Sequence, residues 1–262
     1  MSILRLLRHL TLVAILYCHH AFARYNYVLP ISDYQRSVLN QAFDDAITIA
    51  ALATTISQGP TINAQNQQIF AKYFQPQDMN LVMSIINQIV GGNTHTGNTT
   101  LSTIAVDVND NKKMCPPPGD GKFYSMHIDP EGYITVCPDF WTTSGNLPPT
   151  QCSDLSDITS LQLELYTPGA TIFHEFIHYV GFGAINGQDI IDYAFQPPYN
   201  SPTGPIAYGP VKPLGLNQFY PSFTTRSASN YEWYALVNTS LLVTDDRADV
   251  VFREGGLLVV QV

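Results

Sequence analysis

Residues 167–193 read TPGATIFHEFIHYVGFGAINGQDIIDY, and the fold and the chemistry both turn on this stretch. Thr167-Pro168-Gly169 is a helix entrance, because proline is tolerated at a first helical position whose N–H has no intrahelical partner. Ala170, Ile172, Phe173, Phe176, Ile177 and Val180 make the following residues apolar, so the spacing predicts a helix buried beneath a site. Three polar side chains interrupt it: His174, Glu175 and His178. Residues four apart share one helix face, so both imidazoles can meet a single zinc ion. Glu175 then projects beside the open coordination position, where it can take a proton from water activated by the metal. Without partners, three such groups on a greasy helix would be costly.

Zinc needs a third protein ligand. In the pattern HExxHxxGxxH, Gly181 fits, but Ala184 stands where the third histidine should be and cannot bind metal. Glu232 is eligible as a ligand on a downstream helix, although Ser229-Asn230-Tyr231-Glu232 also reads as a capping box opening a helix through about Val237. Just past the HEFIH helix, Gly187-Gln188-Asp189-Ile190-Ile191-Asp192-Tyr193 offers two aspartates, Asp189 and Asp192.

Upstream, Ser32-Asp33-Tyr34-Gln35 is a capping box followed by Leu39, Phe43, Ala46, Ile47, Ala50 and Ala53 at helical spacing, with Gly59-Pro60 as the stop. A second helix is predicted from Asp78 to Gly91-Gly92. The period then switches. Ile104 to Val108, Phe123 to Ile128 and Tyr133 to Val136 read as short strands parted by Pro116-Pro117-Pro118-Gly119 and Pro130-Glu131-Gly132. Residues 196–223, rich in Pro, Gly, Tyr and Asn, read as an ordered loop. Helices, a small antiparallel sheet, then the metal-binding helix is an α+β plan, mainly helical.

The chain has 262 residues, 45% of them hydrophobic, and a formal charge of −9. Disorder is excluded by that hydrophobic share, and nucleic acid or an anionic membrane by the acidic field without a basic cluster. Arg5 and Arg8, the apolar run Leu10 to Tyr17 and the Ala21-Phe22-Ala23 ending form a secretory signal peptide over 1–23, leaving one domain over 24–262. An exported chain favours disulfides. Of Cys115, Cys137 and Cys152, the first two flank one hairpin and are the expected pair. Asn98-Thr99-Thr100 and Asn238-Thr239-Ser240 have the form of N-glycosylation acceptors.

With these motifs in view, the sequence resembles the aspzincins, the deuterolysin-like secreted metalloendopeptidases. Their mark is HExxH followed by a GTxDxxYG-like segment whose Asp is the third zinc ligand. The likeness covers most of the chain after residue 23, including Asp44-Asp45-Ala46, Lys72-Tyr73-Phe74, Ile134-Thr135-Val136-Cys137-Pro138-Asp139-Phe140 and Ser229-Asn230-Tyr231-Glu232-Trp233-Tyr234-Ala235. It implies a zincin-like fold and a zinc centre of His174, His178 and Asp192, with Asp189 as the alternative third ligand and Glu175 as general base and acid. Register favours Asp192, since Asp192-Tyr193-Ala194-Phe195-Gln196 aligns with D-x-x-Y-G. There Phe195 replaces the tyrosine that helps to hold the oxyanion, while a Tyr-Gly pair recurs at Tyr208-Gly209, making Tyr208 the candidate for that role. The expectation is therefore a secreted, monomeric zinc endopeptidase, free of the membrane once the signal is cut. Its protein or peptide substrate would lie extended along the Tyr133 to Val136 strand. Phe195 keeps a rival open: an exported zinc-binding or adhesion protein of the same fold without efficient proteolysis.

Overall fold

Asp33–Thr55 forms the first helix, α1. It opens with the expected reciprocal cap: Gln35 N donates to Ser32 Oγ at 3.2 Å, and Ser32 N to Gln35 Oε1 at 3.0 Å. Leu39, Phe43, Ala46, Ile47, Ala50 and Ala53 line its inner face and are fully buried. The computed structural model describes residues 25–55, 62–93, 101, 104–116, 126–141, 167–181, 183–193, 211–244, 249–253 and 256–261. The expected signal peptide, Gly59-Pro60, Asn98, Cys152, Phe195 and Tyr208 lie outside them.

Two more helices follow, α2 (Ile62–Tyr73) and α3 (Met79–Asn93). Periodicity signals α2 only faintly, because its buried stripe of Asn66, Ile69, Phe70 and Tyr73 is headed by a polar residue and flanked by glutamines. Asp78 closes a 3₁₀ turn, Pro76–Asp78, so α3 starts one residue later than expected and continues through Gly91-Gly92.

The sheet corrects the sequence reading. Strands β1 (Asn26–Val28), β2 (Ala105–Asp107), β3 (Met126–Ile128) and β4 (Tyr133–Val136) lie in the order β1-β2-β4-β3. β1 pairs with β2, and β2 with β4, in parallel; only β3 runs antiparallel, against β4. The sheet is therefore mixed rather than antiparallel. The cause is topological, since α1 to α3 intervene between β1 and β2, and a helical crossover returns the chain in the same direction. Alternation assigned β2 and β4 to within a residue and, of the expected Phe123 to Ile128 strand, the described part Met126–Ile128, with 123–125 outside the described residues; alternation carries no information on strand direction. A second consequence concerns the edge. β4 sits inside the sheet, so the outer strand beside α4 is β3, and Tyr133 to Val136 offers no free edge to a ligand.

The HEFIH helix is α4 (Pro168–Val180). The stretch expected as a loop over 196–223 contains α5 (Val211–Phe219) and the first half of a 3₁₀ segment, Pro221–Arg226. The next helix, α6 (Ala228–Thr244), starts before Ser229, so the expected capping box does not form, and it runs past Val237. Residues 228–239 of α6 are buried on every side, which makes it a central element packed on α1, α2 and α4. Asn238 is among them, donating to the Tyr234 carbonyl at 2.8 Å, so its triplet is no surface glycosylation acceptor. A two-stranded ribbon, β5 (Asp249–Arg253) and β6 (Gly256–Gln261), ends the described chain. A mainly helical chain with a small mixed sheet makes the fold α+β. Among the described residues no helix is long and apolar enough to cross a membrane. Cys115 and Cys137 form the expected disulfide, with Cα atoms 5.6 Å apart.

Candidate metal centre

Three contacts set the rotation of α4. Thr167 caps it, its hydroxyl accepting from Ala170 N at 3.1 Å. Gly169 approaches α1 so closely that a Cβ there would stand 2.5 Å from Asp45 Cβ. Phe176 stacks on Phe43 of α1 with ring centroids 5.7 Å apart. With those faces taken by α1, His174, Glu175 and His178 are directed toward β3 and the segment after the helix.

That segment turns back sharply. Asn186 and Gly187 have φ of 54° and 77°, and Ile185 and Gln188 exchange backbone hydrogen bonds of 3.1 and 3.0 Å across them, a two-residue hairpin. Ile190 then packs over Gly181, where a Cβ would fall 2.5 Å from Ile190 Cδ1. Ile191 is held against the approach to α6: its N donates to the Arg226 carbonyl at 2.9 Å and its carbonyl accepts from Ala228 N at 3.2 Å. The next residue, Asp192, is thereby delivered to the two imidazoles.

His174 Nε2 lies 2.8 Å from Asp192 Oδ1 and 3.1 Å from His178 Nε2, and His178 Nε2 lies 3.4 Å from the same Asp192 oxygen. The far nitrogens are occupied. His178 Nδ1 donates to the Ile190 carbonyl at 2.9 Å, and His174 Nδ1 meets Glu232 Oε2 at 3.0 Å. With Nδ1 as donor on each ring, a neutral imidazole turns its Nε2 lone pair inward. Two such lone pairs and a carboxylate oxygen then converge, and three acceptors at one point call for a positive charge between them. Tetrahedral zinc with nitrogen and oxygen ligands at about 2.0–2.1 Å spaces its donors about 3.3 Å apart, close to this triangle's edges. His174, His178 and Asp192 could thus hold a metal ion. In the absence of metal a proton serves instead. Burial works against a charged His174, but the carboxylates of Asp192 and then Glu232 hold its pKa well above the ordinary value. Conversely, burial would raise Asp192, but His174 and His178 keep it well below the usual carboxylate range.

Asp189 is not in this group. Its Oδ1 accepts from Gly183 N at 2.8 Å and braces the hairpin instead. Glu232 is neither a ligand nor a cap, but stands behind His174, 2% exposed. Glu175 is buried beside the cluster and accepts from Ile128 N of β3 at 3.1 Å. Burial pushes its pKa up to about 7, against partial relief from His178 and His174. A cleft of about 330 Å³ opens over these groups, lined by β3, Glu175, His178, Tyr179 and the 189–192 segment.

His127 also lines the cleft, and nothing in the sequence singled it out. Its position in β3 between buried Met126 and Ile128 places it on the opposite sheet face, and burial followed by proximity to His178 lowers its pKa. The signal that could have found it is the lone polar aromatic in the strand nearest the HEFIH helix. Neither a scan against protein-family models nor a search of curated proteins returns a match for this chain, so the chemistry of these residues carries the functional argument.

Proposed function

We propose that the protein is an exported zinc-dependent endopeptidase of aspzincin type, with a zincin-like arrangement of cleft, edge strand and metal-binding helix. The observation that carries this reading is the convergence of His174 Nε2, His178 Nε2 and Asp192 Oδ1 beside the buried carboxyl group of Glu175. Zinc held there would supply Lewis acidity toward a peptide carbonyl and bring the pKa of water to about 7. The chain's own residues do the rest. Glu175, oriented by the Ile128 N–H, takes a proton from the attacking water and returns it to the departing amine. A nearby cation would draw its pKa back down, keeping it ionised as a base. Substrate would lie extended along β3. Ile128 N points into the cleft and is taken by Glu175, but Met126, two residues away, shares that direction, so a peptide would pair with the main chain of this edge at Met126.

The test is hydrolysis of casein and of labelled peptides by the purified protein. Activity is expected to vanish with a chelator and to return with zinc. Glu175→Gln is expected to retain one equivalent of metal while losing on the order of 10²–10⁴-fold in rate. Phe195, which cannot donate a hydrogen bond where the family pattern has tyrosine, favours a second reading, an exported zinc-binding protein that does not hydrolyse. One equivalent of zinc with no cleavage of any substrate is the result that selects it.

A further inference from the structure

We propose that Glu232 is a positioning residue of the metal centre: by accepting the Nδ1–H of His174 it fixes the tautomer and ring orientation that present Nε2 to the metal. The inference rests on the metal-site reading above and adds to it a determinant of affinity contributed by α6.

Glu232 is 2% exposed within a stretch of α6, residues 228–239, that is buried throughout, a position where a carboxylate is costly unless paired. A capping role does not account for it. α6 begins at Ala228, Ser229 falls within the helix, and Ser229 Oγ finds no hydrogen-bond partner among the described residues. What the Glu232 carboxylate does meet is His174 Nδ1, at 3.0 Å, from 58 residues away in sequence. Metal-binding histidines commonly pass their second N–H to a carboxylate or a carbonyl, which fixes the ring and raises its basicity as a ligand. Here the two histidines differ in that support. His178 is backed by a neutral acceptor, the Ile190 carbonyl, within the segment that carries Asp192. His174 is backed by a formal negative charge from a separate helix. Asp192 and Glu232 thus approach His174 from its two ring nitrogens, one on each side. α6 supports the centre twice, because its first residue also holds Ile191, next to Asp192, through the Ala228 N hydrogen bond of 3.2 Å.

The alternative is a buried pair that ties α6 to α4 and is indifferent to metal. Zinc affinity of the full chain, measured by competition with a chromophoric chelator, separates the two. Glu232→Gln keeps the shape and removes the charge, and it is expected to weaken zinc binding about 10- to 100-fold. Glu131→Gln is the control, a carboxylate whose side chain is 85% exposed, and its affinity should match the unaltered protein's. Unaltered protein that binds no zinc overturns the metal site and this inference together. Tight zinc binding by both the unaltered protein and Glu232→Gln overturns this inference alone. Should Glu232→Gln not fold, long-range ¹⁵N–¹H spectra of the unaltered zinc-loaded protein decide. A proton on His174 Nδ1 with metal on Nε2 is the expected signature, and metal on Nδ1 refutes the proposal.

Discussion

Glu175 shows what it costs to bury a single carboxyl group beside the candidate centre. In the metal-free protein burial raises its pKa from 4.5 to about 7, so the folded state holds a proton that the unfolded chain releases. For a group raised in this way stability is full below its unfolded value and is lost as pH rises through the folded one. Between about pH 4.5 and 7 the chelated protein should therefore lose stability relative to Glu175→Gln, whose side chain stays neutral. Thermal midpoints of both proteins across that range check the sign; parallel curves would remove burial as the cause. Two neighbouring aspartates provide a sharper contrast at the same scale. Asp192→Asn removes a proposed ligand and should weaken zinc binding by more than the roughly 10- to 100-fold typical of a supporting partner. Asp189→Asn disturbs only the bond to Gly183 N and should leave zinc in place, as metal analysis after dialysis will read.

Among the elements, the hairpin after α4 decides where the third carboxylate stands. Gly181 allows that hairpin to close: a Cβ would fall 2.6 Å from the Ile177 carbonyl as well as 2.5 Å from Ile190 Cδ1. The backbone atom cannot swing aside, so Gly181→Ala should cost about 1–3 kcal/mol and displace Ile190, two residues from Asp192. Its thermal midpoint and its zinc affinity should fall together. Asp107 plays a comparable part at the sheet. Fully buried, it accepts from Asn109 N, Asn111 N, Asn111 Nδ2 and Tyr133 Oη at 2.7–2.9 Å, fastening the loop after β2 to β4. Asp107→Ala should cost about 2–3 kcal/mol, the scale of hydrogen bonds to a charged group, read from urea unfolding. These elements also mark how far pattern reading reaches. α1, α4 and the residues of β4 were legible because each has a strong local period and a clear stop. α5 was hidden in a Pro- and Gly-rich stretch, and α2 by polar residues on its buried stripe.

Across the whole molecule, the disulfide ties distant segments together, and a metal at the proposed centre would do the same. Cys115 and Cys137 are 22 residues apart, joining the loop after β2 to the end of β4. Closing a loop of that length contributes about 3 kcal/mol through the unfolded chain, so the Cys115→Ser, Cys137→Ser protein should unfold at correspondingly lower urea. Zinc at the proposed centre would link α4, the hairpin and, through Glu232, α6. Binding only the folded state, it should raise stability by about 2.7 kcal/mol when free zinc is a hundred times the dissociation constant. A thermal midpoint insensitive to both chelator and zinc would mean that no such link exists.

What the sequence alone determined is local: a helix with two imidazoles and an acid on its face, the strands β2 to β4 as segments, a capped α1 and two cysteines flanking a hairpin. Each follows from spacing along a few turns or residues, which backbone geometry converts directly into shared faces. Tertiary structure decided the rest. Asp192 rather than Asp189 reaches His174 because Ile190 packs on Gly181 and Ile191 pairs with the approach to α6. Glu232 serves His174, not a cap, because a helix 58 residues downstream is buried against α4. Strand direction, the free edge at β3 and the placement of His127 likewise depend on how distant segments pack, and a period in the sequence carries no record of that.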